Sequence, residues 1–169
     1  ASYNRGGEPI PQGEQEHYVK AADYYQKGRR LMREGDVSSA VDVLSQSLEI
    51  VMRYVCPPPR KPQFVVSKTH DAIAQGHQLL GNKAKCVAHV ELSIANTAKL
   101  QGEMHVDLAR EYSKLSTLCA AASEEELPGA KAKAAEAAEK AISILQLHYP
   151  ASKALEAEAA LLRGDLRAQ

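Results

Sequence analysis

The chain has 169 residues with 21 basic and 21 acidic side chains, so its formal net charge is zero. That balance excludes the broad basic excess of proteins that coat nucleic acid or anionic membranes, and neither is expected as a partner. With no tryptophan, one phenylalanine (Phe64) and few runs of valine, isoleucine or threonine, the composition favours an all-α domain.

Residues 1–15 (ASYNRGGEPIPQGEQ) are rich in glycine, proline and polar side chains, and read as a flexible lead-in or linker before a helical domain over 16–169. The chain does not begin with methionine, which suits a piece of a longer protein. A first helix is predicted from Glu16 to about Glu34 and a second from about Val37 to Val55. Gly35 frees the backbone for the tight turn between them, and Asp36 is placed to cap the second. Cys56-Pro57-Pro58-Pro59 stops that helix, and residues 57–62 form an exposed connector. The third helix starts between Val65 and Lys68 and ends near Leu80-Gly81. The fourth runs from about Lys83 to Gln101 and stops at Gly102. Tyr112, Leu115, Ser116 and Cys119 mark a fifth helix. A loop at Ser123–Gly129 leads to a sixth, marked by Ala134, Ala138, Ala141 and Ile142 and ended by His148-Tyr149-Pro150. Ser152 caps a last helix to about Arg163, whose Leu155, Ala159 and Leu162 form an apolar stripe suited to covering an open end.

One spacing recurs. Gly28, Ala40 and Ser47 lie 12 and then 7 residues apart, and Ala74, Cys86 and Ser93 repeat those intervals. Gly81 follows Ala74 by seven residues as Gly35 follows Gly28, which selects this register over one built on Gly76, Ala88 and Ala95. In a third copy Ser116 is followed by Ala134 and Ala141; the first interval grows by six residues, which fall in the Ser123–Gly129 loop. Small residues at such intervals let two antiparallel helices approach to the usual ~8–10 Å. The repeat starts are 46 and then 42 residues apart, and three helix pairs plus a cap describe an α-solenoid.

Tyr24, Gly28, Leu31, Gly35, Ala40, Leu44 and Ser47 resemble the tetratricopeptide-repeat pattern of large and small positions. The second repeat departs from it at His77, where a large apolar residue is usual, and the third through its inserted loop. Gly102-Glu103-Met104-His105-Val106-Asp107-Leu108-Ala109 is similar to the G-x-x-H-P-d-x-A junction of long-repeat families, with Val106 in place of proline. Those families include kinesin light chains and the C-terminal domain of SET-and-MYND (SMYD-type) lysine methyltransferases. Three long pairs, a terminal helix and a lead-in look most like the latter, over roughly Glu16 to Leu166. The resemblance implies a tetratricopeptide-like domain that shapes a substrate cleft or docks a peptide, with the SET domain and its chemistry upstream. The alternative it leaves is a free-standing adaptor that binds cargo or a chaperone.

Candidate chemistry is sparse, and no cofactor or catalytic residue is expected. Cys56, Cys86 and Cys119 make no disulfide framework and point to a reducing compartment, cytoplasmic or nuclear. No apolar run approaches the roughly 20 residues of a membrane span, and no signal-peptide pattern opens the chain. His70 and His77 share a helix face beside Asp71, and Cys86 and His89 are three apart. Zinc needs three or four convergent ligands, so packing explains these residues more simply, and Cys119 likewise. The Glu124-Glu125-Glu126 run reads as a soluble loop that can also place negative charge before the sixth helix. The alanines from Ala130 to Ala141 read as close helix packing.

The sharper expectation is a peptide-binding groove lined by the first helix of each pair. Its candidates are Tyr25, Arg29, Met32 and Arg33, then Lys68, Asp71, Gln75 and Gln78, then Arg110, Ser113, Lys114 and Thr117. Arg29, Lys68, Arg110 and Lys114 suit an acidic peptide or a C-terminal carboxylate, through charge-assisted hydrogen bonds. The carboxylate clamp of some tetratricopeptide domains would place asparagines where Arg29 and where Ala72 or a neighbour stand; only Arg110 and Lys114 match its basic half.

Overall fold

In the computed structural model, which describes residues 13, 15–56 and 63–168 and side chains only to residue 164, the protein is all-helical, with no strand among the described residues. The order is α1 (Gln15–Glu34), α2 (Val37–Ile50) with a π-helical turn (Val51–Val55), α3 (Phe64–Leu79), α4 (Lys83–Gln101), α5 (Val106–Ala120), α6 (Ala130–His148) and α7 (Lys153–Ala168). Most of the lead-in and the 57–62 connector lie outside the described residues. Two compact units divide the chain within α4, one Ala1–Asn96 and the other Thr97–Gln169.

In the first unit α1 and α2 form a hairpin around a left-handed Gly35 (φ 88°). The Asp36 N–H donates to Leu31 O, and Asp36 Oδ1 accepts from Ser39 N at 3.4 Å. The turn between α3 and α4 copies this 46 residues later. Gly81 is left-handed (φ 76°), Asn82 N donates to His77 O, and Asn82 Oδ1 accepts from Lys85 N at 3.2 Å. Both turns supply donors to the last carbonyls of one helix and cap amides at the start of the next.

The small positions of the repeat are all buried: Gly28, Ala40 and Ser47; Ala74, Cys86 and Ser93; Ser116, Ala134 and Ala141. Their hydroxyls also tie helices together. Ser47 Oγ donates to Ala21 O on α1 (2.7 Å), and Ser93 Oγ to Ser67 O on α3 (3.2 Å), each across 26 residues. In the second unit Ser116 Oγ on α5 donates to Ala134 O on α6 (2.8 Å). A buried hydroxyl must find an acceptor, and at a close crossing the neighbouring helix's carbonyl is within reach.

Packing at the first crossing is tight. A Cβ on Gly28 would meet Leu44 Cγ at 2.5 Å and Ala40 O at 3.3 Å. The repeat pairs this glycine with Leu44, Ala74 with Val90, and Ser116 with Ala138. As the small partner gains atoms the large one loses them, so crossing volume is shared out differently in each pair. Gly76 serves another contact: its missing side chain admits Val41 Cγ2 of α2, with which an added Cβ would clash. Around it, Met32, Ala40, Val41, Leu44, Ala72 and Ile73 form one core cluster. Met32 therefore belongs to the core rather than to a groove, because α2 and α3 close over it.

The second helix does not continue as an α-helix to Val55. It widens at Val51–Val55, where Cys56 N donates to Val51 O (2.7 Å), a five-residue closure. The wider turn brings Val51, Val55 and Cys56 into one cluster with Ala21 and Val66.

In the second unit α5 packs on α6 and α6 on α7. His105 explains the junction motif: it is the N-cap of α5, its Nδ1 accepting from Asp107 N at 3.1 Å. Val106 is the first helical residue, where proline is otherwise favoured. Glu124 carries its expected role, accepting from Gly129 N (2.7 Å) and Lys131 N (3.2 Å) at the start of α6. Those bonds hold its carboxyl below the usual range. Glu126 and Ser123 cap one another in the same loop. Ser152 Oγ accepts from Leu155 N at 3.1 Å, capping α7 as expected.

Candidate functional site

Two features of the first unit combine polar side chains in ways that packing alone does not require. The first is the face that α1 and α3 share. Arg29 Nη1 donates to Gln75 Oε1 at 3.0 Å, and Lys68 Nζ stands 4.7 Å from the centre of the Tyr25 ring. Two side chains of α1 thus meet two of α3 on one surface. Arg29, Tyr25 and Lys68 are half-buried; Arg33, Gln75 and Gln78 are exposed. Asp71 is half-buried, and its Oδ1 is enclosed without a hydrogen-bond partner. Three cations against one carboxylate leave this face positive. Ala72, at the second position where a carboxylate clamp would need asparagine, is in the core and reaches no surface.

The remaining groove candidates lie on α5 in the second unit. Arg110 is exposed. Lys114 Nζ stands 4.0 Å from Glu111 Oε2. Thr117 Oγ1 donates back to Ser113 O at 3.1 Å, a local bond within α5.

The second feature is a histidine cluster in the seam of α3 and α4. His70 Nδ1 and His89 Nδ1 are 2.9 Å apart. The His77 ring stacks on His89, with centroids 5.7 Å apart and planes within 19°. His70 and His77 are buried, and His77 Nδ1 is enclosed without a hydrogen-bond partner. Burial lowers the proton affinity of His70. Burial, and then Lys85, lower that of His77. His89 falls to about 4, through burial first and then the charges of His70, His77 and Lys85. The sequence paired His70 with His77 on one face but set His89 apart with Cys86. The signal that joins them is the repeat itself: 46 residues earlier stand Tyr24, Leu31 and Val43, large residues of the α1–α2 pair. Cys86 is a crossing residue, buried and not in a disulfide.

Among the described residues no three histidine, cysteine, aspartate or glutamate side chains are arranged to hold a metal ion. Nor is any helix there long and apolar enough to cross a membrane. No protein-family model matches the chain, and no curated protein does.

Proposed function

We propose that this chain is a non-catalytic docking module, a tetratricopeptide-like α-solenoid of three helix pairs capped by α7. Its partner is an acidic peptide or protein segment, and its parent is a SMYD-type lysine methyltransferase whose substrate cleft it helps to shape. The supporting observation is the α1–α3 face, where Arg29 meets Gln75 and Lys68 meets Tyr25. First helices of successive pairs that present adjacent side chains are what a peptide groove requires. Arg29 and Arg33 offer guanidinium forks to carboxylates, and Gln75 already orients one of them. Cytoplasmic or nuclear residence goes with this reading, since Cys56, Cys86 and Cys119 are buried and form no disulfide with one another.

The test is titration of a fluorescent acidic peptide with a free C-terminal carboxylate. Arg29→Ala and Lys68→Ala should each weaken binding several-fold to about tenfold, as loss of a partly exposed charge-assisted contact does. Their unfolding midpoints should stay near wild type. Unchanged affinity in both variants refutes the site. Arg110→Ala and Lys114→Ala, measured alongside, show whether α5 contributes. Methyl transfer by this chain alone from S-adenosylmethionine to a peptide would refute the placement of the chemistry upstream.

A further inference from the structure

Three imidazoles fill positions that the neighbouring helix pair fills with Tyr24, Leu31 and Val43. A repeat needs only bulk at these places, and the α1–α2 seam shows that apolar bulk serves. The substitution brings a constraint that apolar side chains lack. Two Nδ1 atoms at 2.9 Å form a hydrogen bond only if one carries a proton and the other a lone pair. A first proton gives one imidazolium and can leave the bond in place as a charge-assisted N–H···N; when both rings are protonated no lone pair is left between the Nδ1 atoms, and the bond becomes a contact between two cations. The His77 ring, stacked on His89, adds a third positive charge when it too is protonated.

We propose that the α3–α4 seam is a proton-operated latch: the His70–His89 bond holds it closed at neutral pH, and protonation of the cluster drives the two helices apart.

The surroundings give the added charge no relief. From α4, Lys85 faces His77 and His89 with charge of the same sign. On α3 itself, the carboxylate next to His70 is Asp71, whose enclosed Oδ1 has no hydrogen bond. From α1 and α2, packed against α3, Arg29 is turned to Gln75, and Val41 and Met32 meet Gly76. Elsewhere the seam holds the Ser67–Ser93 bonds, Asn96 Nδ2 to Ser67 Oγ at 2.8 Å, and the buried Cys86 and Val90. Because each folded-state proton affinity is lowered, the unfolded or opened chain binds more protons. Stability is therefore full above the ordinary imidazole value of 6.5 and falls as pH drops toward about 4, the value for His89.

The experiment compares wild type with two variants. One is the transplant H70Y/H77L/H89V, which copies the α1–α2 seam; the other is His89→Asn, which keeps a hydrogen-bonding group near Nδ1 but cannot titrate. Backbone amide protection is measured from about pH 7.5 to pH 5, with imidazole NMR titration on the wild type. Protection of α3 and α4 amides should fall by about tenfold or more in the wild type, with α1 and α2 amides falling less. Both variants should lose most of that pH dependence. A parallel fall in wild type and His89→Asn overturns the latch, as does titration of His70 and His89 near the ordinary value. Saturable zinc, nickel or copper binding at neutral pH that depends on His70 and His89 also overturns it, because the pair would then be a metal site.

Discussion

Replacing Gly28 by alanine sets two known effects against each other at one atom. In a helix interior alanine is favoured over glycine by about 0.8–1 kcal/mol. Against this, the new Cβ would stand 2.5 Å from Leu44 Cγ and 2.8 Å from Leu44 Cδ2. Leu44 is fully enclosed, and its Cγ is a branch point that cannot swing aside as a chain end would. Overpacking of this kind costs about 1–3 kcal/mol, so Gly28→Ala should destabilise by about 1 kcal/mol net. Leu44→Val alone should cost about 1 kcal/mol for the lost methylene and its void. Together they recreate the Ala74/Val90 combination of the next helix pair, and the new methyl fills the space the leucine gives up. The double variant should lie above the sum of the singles by at least about 1 kcal/mol, the coupling expected of residues in direct contact. Gly164→Ala on α7 supplies the helix term alone, since nothing lies within 4 Å of a Cβ there, and it should stabilise by up to about 1 kcal/mol. Urea unfolding of the four variants, with thermal midpoints moving about 2–4 °C per kcal/mol for a chain of this size, reads all of these. Additive singles, or a Gly28→Ala that stabilises as Gly164→Ala does, would refute volume sharing at the crossing.

Ser47→Ala and Ser116→Ala each remove a buried hydroxyl that bonds the partner helix's backbone, and each should cost about 1 kcal/mol in urea unfolding. The exposed Ser143→Ala on α6 should be neutral within about 0.5 kcal/mol. Glu124→Gln weakens acceptance from Gly129 and Lys131, so amide exchange at those two residues should quicken while the core of α6 is unchanged. Acidification should mimic it: with its carboxyl held below the usual range, Glu124 supports the helix start above that range and releases it as pH falls through its lowered value.

Much of the architecture was legible because it follows from local rules and a repeat. Helix ends at Gly35, Gly81 and Gly102 are places where only a residue without a Cβ turns left-handed cheaply, and all three do so. The 12-and-7 spacing identified six positions and the third copy, with its longer first interval, three more; all nine are buried, since residues where helix axes come closest are covered by the partner helix. What spacing could not show was the chemistry placed at those positions. That Ser47 and Ser93 donate to carbonyls 26 residues back depends on which helix lies across the seam. The π-helical turn at Val51–Val55, whose valines join a cluster with Ala21 and Val66, was also hidden.

The candidate surfaces divide in the same way. Residue type and helical register alone pointed to Arg29, Lys68 and Gln75, but the pairing of Arg29 with Gln75 and of Lys68 with Tyr25 needed α1 and α3 side by side. Met32 was placed in the groove by register and in the core by tertiary packing, because register says which face a residue is on, not what covers that face. His70, His77 and His89 show the difference most plainly. The sequence by itself put His77 at a large position of the repeat and His70 on the same helix face, and left His89 apart with Cys86. Only the tertiary structure decided that two of their nitrogens stand 2.9 Å apart, since a hydrogen bond between helices is set by the distance of their axes, which no single helix carries.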